Sequence, residues 1–582
     1  MPFRLVRCSL AALFAFACSG DVLAAGAGTP GADGGHARLN QLGFLPGSRM
    51  LAVIEGDRAR AFEIVSDVDG AVVRRGQSAP PGTWAPAGRE ASIAELGPLP
   101  PGRYRLQGAG MAPSDPFPVD AQAYAALLDA SLKAFYFHRA GSPLDAAHAG
   151  MHVRAAGHPD TDVEIHASAA SPGRPAGTVV SAPGGWYDAG DYNKYVVNSG
   201  ITMWSLLSAY EHFPQVFRGR DTGIPESGDA VPDLLDEAWW NLRWMLAMQD
   251  PGDGGVYHKL TNLRFDGAVM PDQATARRYM VGRSTAAALD FAAVMAMASR
   301  VYAGYEARFP GVPARMRAAA ESAWRWAQAH PDAVYRQPPD VHTGAYGDAR
   351  LDDEFAWAAA ELFLLTGDAA YWRAFESHAA APDVPSWANV GALGWISLAA
   401  HGGRLPGAAE RERVSQAVEG LAGRLAGQWR QSPWRVAMQP EDFVWGSSAM
   451  ALNQGLVLLQ GYRLTRQRDY LDAAQSQLDY VLGRNPLGVS FVTGYGVRTP
   501  MHVHHRPSQA DGVAEPVPGW LSGGPNPRQQ DLGDCKDVTY PSKAPALSWI
   551  DHDCSYASNE VAINWNAPLV YVAAGLQALT PP

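Results

Sequence analysis

From Ala123 onward, apolar residues return every three or four positions in about twelve successive segments, and this helical periodicity limits the fold more than any other feature. The segments begin near residues 123, 198, 231, 283, 313, 352, 370, 390, 408, 447, 468 and 558. Pro232-Asp233-Leu234-Leu235-Asp236-Glu237-Ala238-Trp239 is typical: proline suits a first helical turn, and Asp233 and Glu237 lie near the positive end of the helix dipole. No strand pattern separates the segments, so this region, residues 120–582, is expected to be all-helical. Residues 36–119 read differently. Short β-type runs at 50–54, 61–64, 71–73, 91–93 and 104–106, punctuated by Gly and Pro, predict a small β-sandwich.

With 582 residues, 47% of them hydrophobic, the chain can bury a large core. A formal charge of −11 argues against nucleic acid or an anionic membrane as partner. The 18 Trp, 21 Tyr and 18 Phe must mostly fill the core, but some can serve as platforms on which a sugar ring stacks. Arg4 and Arg7 precede an apolar run at 10–17, with small residues near Ala24, which predicts a signal peptide over 1–24, a linker over 25–35, and a secreted or periplasmic product. Lipid attachment at Cys18 is the less favoured reading, because Phe16 fits that pattern poorly. No later apolar run is read as a membrane span. Cleavage near Ala24 would leave Cys535 and Cys554, and an oxidising compartment favours their pairing over two free thiols.

Three segments carry chemistry. Gly184-Gly-Trp186-Tyr187-Asp188-Ala-Gly190-Asp191-Tyr192-Asn193-Lys194 places two carboxylates on an aromatic-rich loop. Trp549-Ile-Asp551-His-Asp-Cys-Ser-Tyr556-Ala-Ser-Asn559-Glu560 sets one glutamate where a polar loop meets an apolar helix. Val503-His504-His505-Arg506 puts an imidazole and a guanidinium on alternate positions of an extended stretch. Separated carboxyl groups of this kind suit glycosidic cleavage, in which one protonates the leaving oxygen and the other activates water. Taken in order, the three segments resemble the signatures of glycoside hydrolase family 9, mostly cellulases. The Asn40-Gln41-Leu-Gly43-Phe44-Leu-Pro46 opening resembles the immunoglobulin-like domain that precedes some of that family's catalytic domains.

The resemblance implies an (α/α)6 barrel behind an immunoglobulin-like β-sandwich, and an inverting mechanism. It makes Asp191 the general base, Asp188 its partner in holding water, and Glu560 the general acid, with Asp551 and His504 supporting. Arg506, His258, Tyr556 and Trp186 are the expected substrate-binding side chains. A structural calcium is expected at Asp353 and Glu354, since hard oxygen ligands at a helix start match a family site. Zinc is expected to be lost: His138, His148, His152 and His158 remain in the loop where some relatives bind it, but no cysteine does. The reading is therefore a monomeric endo-β-1,4-glucanase acting on β-glucan or cello-oligosaccharide. An exo-acting β-glucosidase or β-glucosaminidase, and a non-catalytic glycan-binding protein, are the alternatives. No Ser/Thr/Pro-rich linker follows the last helix, so no separate C-terminal binding module is expected.

Overall fold

The computed structural model describes residues 36–536 and 538–581. The expected leader with its cleavage point, the linker, Cys8 and Cys18 lie outside the described residues. Strands β1 (Ala37–Arg38), β2 (Leu51–Glu55), β3 (Ala61–Ser66), β4 (Val72–Gln77), β5 (Gly82–Trp84), β6 (Arg89–Glu95), β7 (Gly102–Gln107) and β8 (Phe117–Val119) form two four-stranded antiparallel sheets. Their orders are β1-β2-β6-β5 and β4-β3-β7-β8. The sequence pattern misses β5 and β8 because prolines crowd them: Pro80 and Pro81 precede β5, and Pro118 lies inside β8. Strand β2 is apolar without alternation, since both of its faces are covered. Ala52 and Ile54 join Phe44, Phe62 and Leu106 inside the sandwich, whereas Leu51 and Val53 pack into the core of the helical region. Trp84 adds to that contact, its ring 5.4 Å from Trp434.

Twelve long helices follow: α1 (Ala125–Phe137), α2 (Val196–His212), α3 (Asp233–Ala247), α4 (Thr285–Tyr302), α5 (Val312–Ala329), α6 (Asp352–Thr366), α7 (Ala369–His378), α8 (Gly391–Ala400), α9 (Ala408–Gln431), α10 (Ser447–Thr465), α11 (Arg468–Val481) and α12 (Ile563–Leu579). Even-numbered helices are buried nearly all round and form an inner ring; among the odd-numbered ones α5, α7 and α9 keep an exposed polar stripe, whereas α11 is buried from Tyr470 to Val481. Every residue of α4 except Arg300 is buried, for example. Inner helices touch one another in the series α12, α2, α4, α6, α8, and α10 closes against α12.

Two expectations need correction. The helices are not free of strands: β9 (Val163–Ile165), β10 (Val179–Val180), β11 (Lys194–Tyr195), β12 (Tyr257–Thr261) and β13 (Tyr279–Arg283) form a small sheet ordered β10-β9-β13-β12-β11. With two to five residues each, these strands are too short to show alternation. The last helix starts at Ile563 rather than near 558, so Glu560 stands in extended backbone outside its first turn. Among the described residues one helix, Thr285–Tyr305, is long and apolar enough to cross a membrane, and 89% of that window is buried in the core, which does not contradict the expectation.

Candidate active site

The three chemical segments meet through backbone bonds. Ile563 N donates to Asp188 O, Asp188 N to Asn193 O, His504 N to Asn559 O, and Arg506 N to Gly190 O. His504 and Glu560 pair as a parallel bridge. Gly190 is the crossing point: its N–H donates to Glu560 Oε1 at 3.3 Å, and Arg506 Nη1 donates to its carbonyl at 2.8 Å. A Cβ there would lie 2.2 Å from the His504 carbonyl oxygen. Close approach, not a left-handed turn, is what requires glycine at this point.

Asp188, Asp191 and Glu560 consequently line one cavity of about 650 Å³, flanked by Phe265, Trp387, Trp445 and Trp565. Phe265 and Trp445 are 48% and 43% exposed, so aromatic surface is available for stacking on sugar. Asp188 Oδ1 accepts from Asn198 Nδ2 at 2.6 Å and Oδ2 from Tyr346 Oη at 2.7 Å. Burial, then the nearby Asp191 charge, pushes Asp188 up to about 8. The same two causes push Glu560 well above the usual carboxylate range, with Arg506 opposing. Around Asp191 the pattern is different. Asn193 N, Asn193 Nδ2 and Tyr195 Oη all donate to its Oδ2, a convergence that suits a carboxylate, which only accepts.

Other expected residues fall outside the cavity lining. Trp186 is fully buried and donates Nε1 to Glu237 at 2.7 Å, so it is not a platform. His258 is also fully buried, stacked on Tyr335 at 3.7 Å, with Nδ1 on Ser284 Oγ and Nε2 on Ala345 O. Both ring nitrogens are engaged, so His258 steadies the loop before Tyr346 and does not reach for sugar. Asp551 accepts from Met501 N, His502 N and Asn559 Nδ2 and braces the backbone beside Glu560. Arg506 is committed to the Gly190 and Asp266 carbonyls, and His504 Nδ1 meets Asp553 O at 2.6 Å. Tyr556 stands at the rim, tilted against Trp445 at 5.3 Å, with Oη donating to Gln530 O.

Cys535 and Cys554 are joined in a disulfide with Cα atoms 5.4 Å apart, closing the loop between them just after Arg528 and Gln530 of the cavity wall. The sequence pattern missed Tyr346, Asn193 and Tyr195. Tyr346 is held at φ +46°, strained for a bulky residue, and its place in Gly344-Ala-Tyr-Gly347 was the available signal.

The four loop histidines are dispersed. His138 Nε2 faces His505 Nε2 at 2.9 Å, His152 meets Asp511, His148 meets Gly223 O, and His158 meets Tyr187 Oη. Ala140 stands in a small apolar cluster with Tyr187, Tyr192 and Ala274. At the expected calcium position, Asp353 Oδ2 accepts from Val390 N, while both Glu354 oxygens are buried without a partner. Asp290 nearby is in the same condition. These orphaned hard oxygens fit a cation. Among the described residues no three acidic, His or Cys groups converge as a ready cage, so backbone or amide oxygens such as that of Asn389 would have to complete the shell.

Comparison with known proteins agrees with this geometry. Residues 124–573 match the glycosyl hydrolase family 9 model, and residues 32–112 match the cellulase N-terminal ig-like domain. The chain is 44% identical to the xyloglucan-specific endo-beta-1,4-glucanase BoGH9A of Bacteroides ovatus, over 93% of this chain and 94% of that one. It is 31% identical to endoglucanase D of Acetivibrio thermocellus, over 92% and 83%. Among solved structures, a Bacteroides ovatus GH9 protein matches with a TM-score of 0.88 and 42% identity, covering 94% of this chain and 99% of that one. Spanning both regions at such identity, the comparisons establish that this chain belongs to glycosyl hydrolase family 9 and carries a cellulase-type immunoglobulin-like domain at its N-terminal side.

Proposed function

We propose that this protein is an exported, inverting endo-β-1,4-glucanase. The observation that carries the reading is one cavity lined by both Glu560, which burial and the Asp191 charge push well above the usual carboxylate range, and Asp191, whose Oδ2 accepts from Asn193 and Tyr195. Glu560 gives its proton to the glycosidic oxygen as the C1–O bond breaks. Water attacks C1 from the opposite face, and Asp191 takes its proton. Asp188, held by Tyr346 and Asn198, fixes the loop that presents Asp191 and shares its place beside the water. The exposed Phe265 and Trp445 supply stacking surfaces for glucosyl units of a β-glucan or cello-oligosaccharide.

Because one relative is named as xyloglucan-specific at 44% identity, xylose-branched β-1,4-glucan is the first polymer to test. Xyloglucan, carboxymethyl cellulose, mixed-linkage glucan and chitosan oligomers should be compared by product analysis. Mixed oligosaccharides with a fast fall in viscosity support endo action, whereas a single monosaccharide released from chain ends contradicts it.

Export is supported by the leader-like N-terminus and by the disulfide, which suits an oxidising compartment. Calcium is assigned to Asp353 and Glu354 as a structural ion that pins the start of α6. Calorimetric titration should show stoichiometric Ca²⁺ binding, and chelator should lower the melting temperature of wild type but not of Glu354→Gln. An unchanged melting temperature in chelator would contradict the assignment.

A further inference from the structure

Lys259 is a fully buried cation whose hydrogen-bond partners are all neutral. Its Nζ donates to Gly344 O at 2.6 Å, Gln337 Oε1 at 3.0 Å and Thr343 Oγ1 at 3.1 Å, which uses all three protons. A buried charge with no directly bonded counter-ion is costly to keep, so its surroundings call for a reason. The Tyr195 and Tyr335 rings lie 5.6 Å from Nζ, and His258 precedes it on β12. Burial lowers its pKa to about 7, and Asp191 is the charge that pulls it back up.

The hydrogen bonds continue from Lys259 to Asp191 in one direction. Thr343 Oγ1, having accepted from Lys259, has its own proton for Thr261 Oγ1 at 2.8 Å. Thr261 Oγ1 in turn donates to Asn193 Oδ1 at 2.8 Å. Asn262 N also donates to that oxygen, at 3.2 Å. Held by Asn262 N, and by the Thr261 proton when it turns to Oδ1, the Asn193 amide points its Nδ2 at Asp191 Oδ2. Thr261 has a competing acceptor, Asn262 O at 2.7 Å, and a donor arriving from Thr343 leaves its single proton to choose between the two. Donors chained in this way polarise one another.

We propose that Lys259 is a positioning residue for the general base, acting through Thr343, Thr261 and Asn193 to direct donors onto Asp191 Oδ2 and leave Oδ1 for the proton of the attacking water. The inference rests on Asp191 being that base. The titratable groups facing Asp191 are Asp188, Glu560, His504 and Tyr195, and Lys259 stands behind the loop as the cation that interacts with it.

The test compares Lys259→Met in wild-type and Asp191→Ala backgrounds, on a cello-oligosaccharide, with azide present for the latter. In the wild-type background kcat should fall at least ~30-fold with KM within about 3-fold, the scale of a disturbed acid–base group. Loss of a nearby cation raises the pKa of a carboxyl, so the acidic limb of kcat/KM should move to higher pH. In Asp191→Ala, the azide-supported rate should change by less than about 2-fold, because residues acting through one another are not additive. An equal fall in both backgrounds, or an unchanged kcat and pH limb in wild type, overturns the proposal. If Lys259→Met does not give native near-UV circular dichroism, Thr261→Val breaks the relay with the charge kept. It should show the same dependence on Asp191, and equal losses in both backgrounds again overturn the proposal. Near-wild-type activity of Asp191→Ala alone would refute the base assignment itself, a separate result that needs no Lys259 variant.

Discussion

Asp188, Asp191 and Glu560 share one cavity, and each has different hydrogen-bond partners there. Glu560→Gln keeps the shape and removes the proton, so hydrolysis of natural glucans should fall at least ~10²-fold, the usual range for a general acid. Substrates with activated leaving groups should lose much less; equal losses on both would contradict the acid role. Asp188 makes a prediction about stability. With a folded pKa of about 8 against an ordinary 3.8, the folded protein keeps a proton that the unfolded chain releases. Stability from this group therefore falls as pH rises between about 4 and 8, by up to about 4 kcal/mol at pH 7. Asp188→Asn removes that titration. Its melting temperature should rise relative to wild type at pH 7 and less so at pH 4, while activity drops. The same change at both pH values, measured by calorimetry, would contradict it.

Strand β12 and the Asn40-Gln41 turn show what the sequence could and could not reveal about elements. His258 stood out by residue type, yet alternate positions of β12 do different work: Lys259 and Thr261 reach the Asp191 network, while His258 turns to Ser284 and Ala345. Trp186 misled in the same way, because an aromatic residue in a catalytic motif serves the core as readily as the cleft. The carboxyl motifs were legible because their spacing is local. Partners such as Tyr346, 158 positions from Asp188, come together only through the fold. The Asn40-Gln41 signature has a physical cause. Buried Asn40 donates to Asp479 Oδ1 at 2.9 Å, and Gln41 bonds Gly488 O, Val497 N and Arg498 N. Asn40→Ala leaves a buried carboxylate short of a donor and should cost about 2 kcal/mol, the range for hydrogen bonds to charged groups. Sandwich and barrel should still melt in a single, lowered transition, since they share a core. Two separated transitions would show that the shared core alone does not couple them.

For the whole molecule, helix starts were legible to within a few residues over most of the barrel, because an inner ring and an outer ring impose one period on every segment. The exception is the end that matters most to the chemistry. There the chain runs extended through Glu560 before α12 begins, because Glu560 must pair with His504 and accept from Gly190. That Glu560 and Asp191 of this one cavity serve as acid and base is the central proposal, and its most direct test is stereochemical. Proton NMR should be recorded during the first minutes of hydrolysis of a β-linked cello-oligosaccharide, before mutarotation mixes the anomers. Attack by water opposite the leaving oxygen predicts the α-anomer first; the β-anomer appearing first would mean that Asp191 does not act as a base on water.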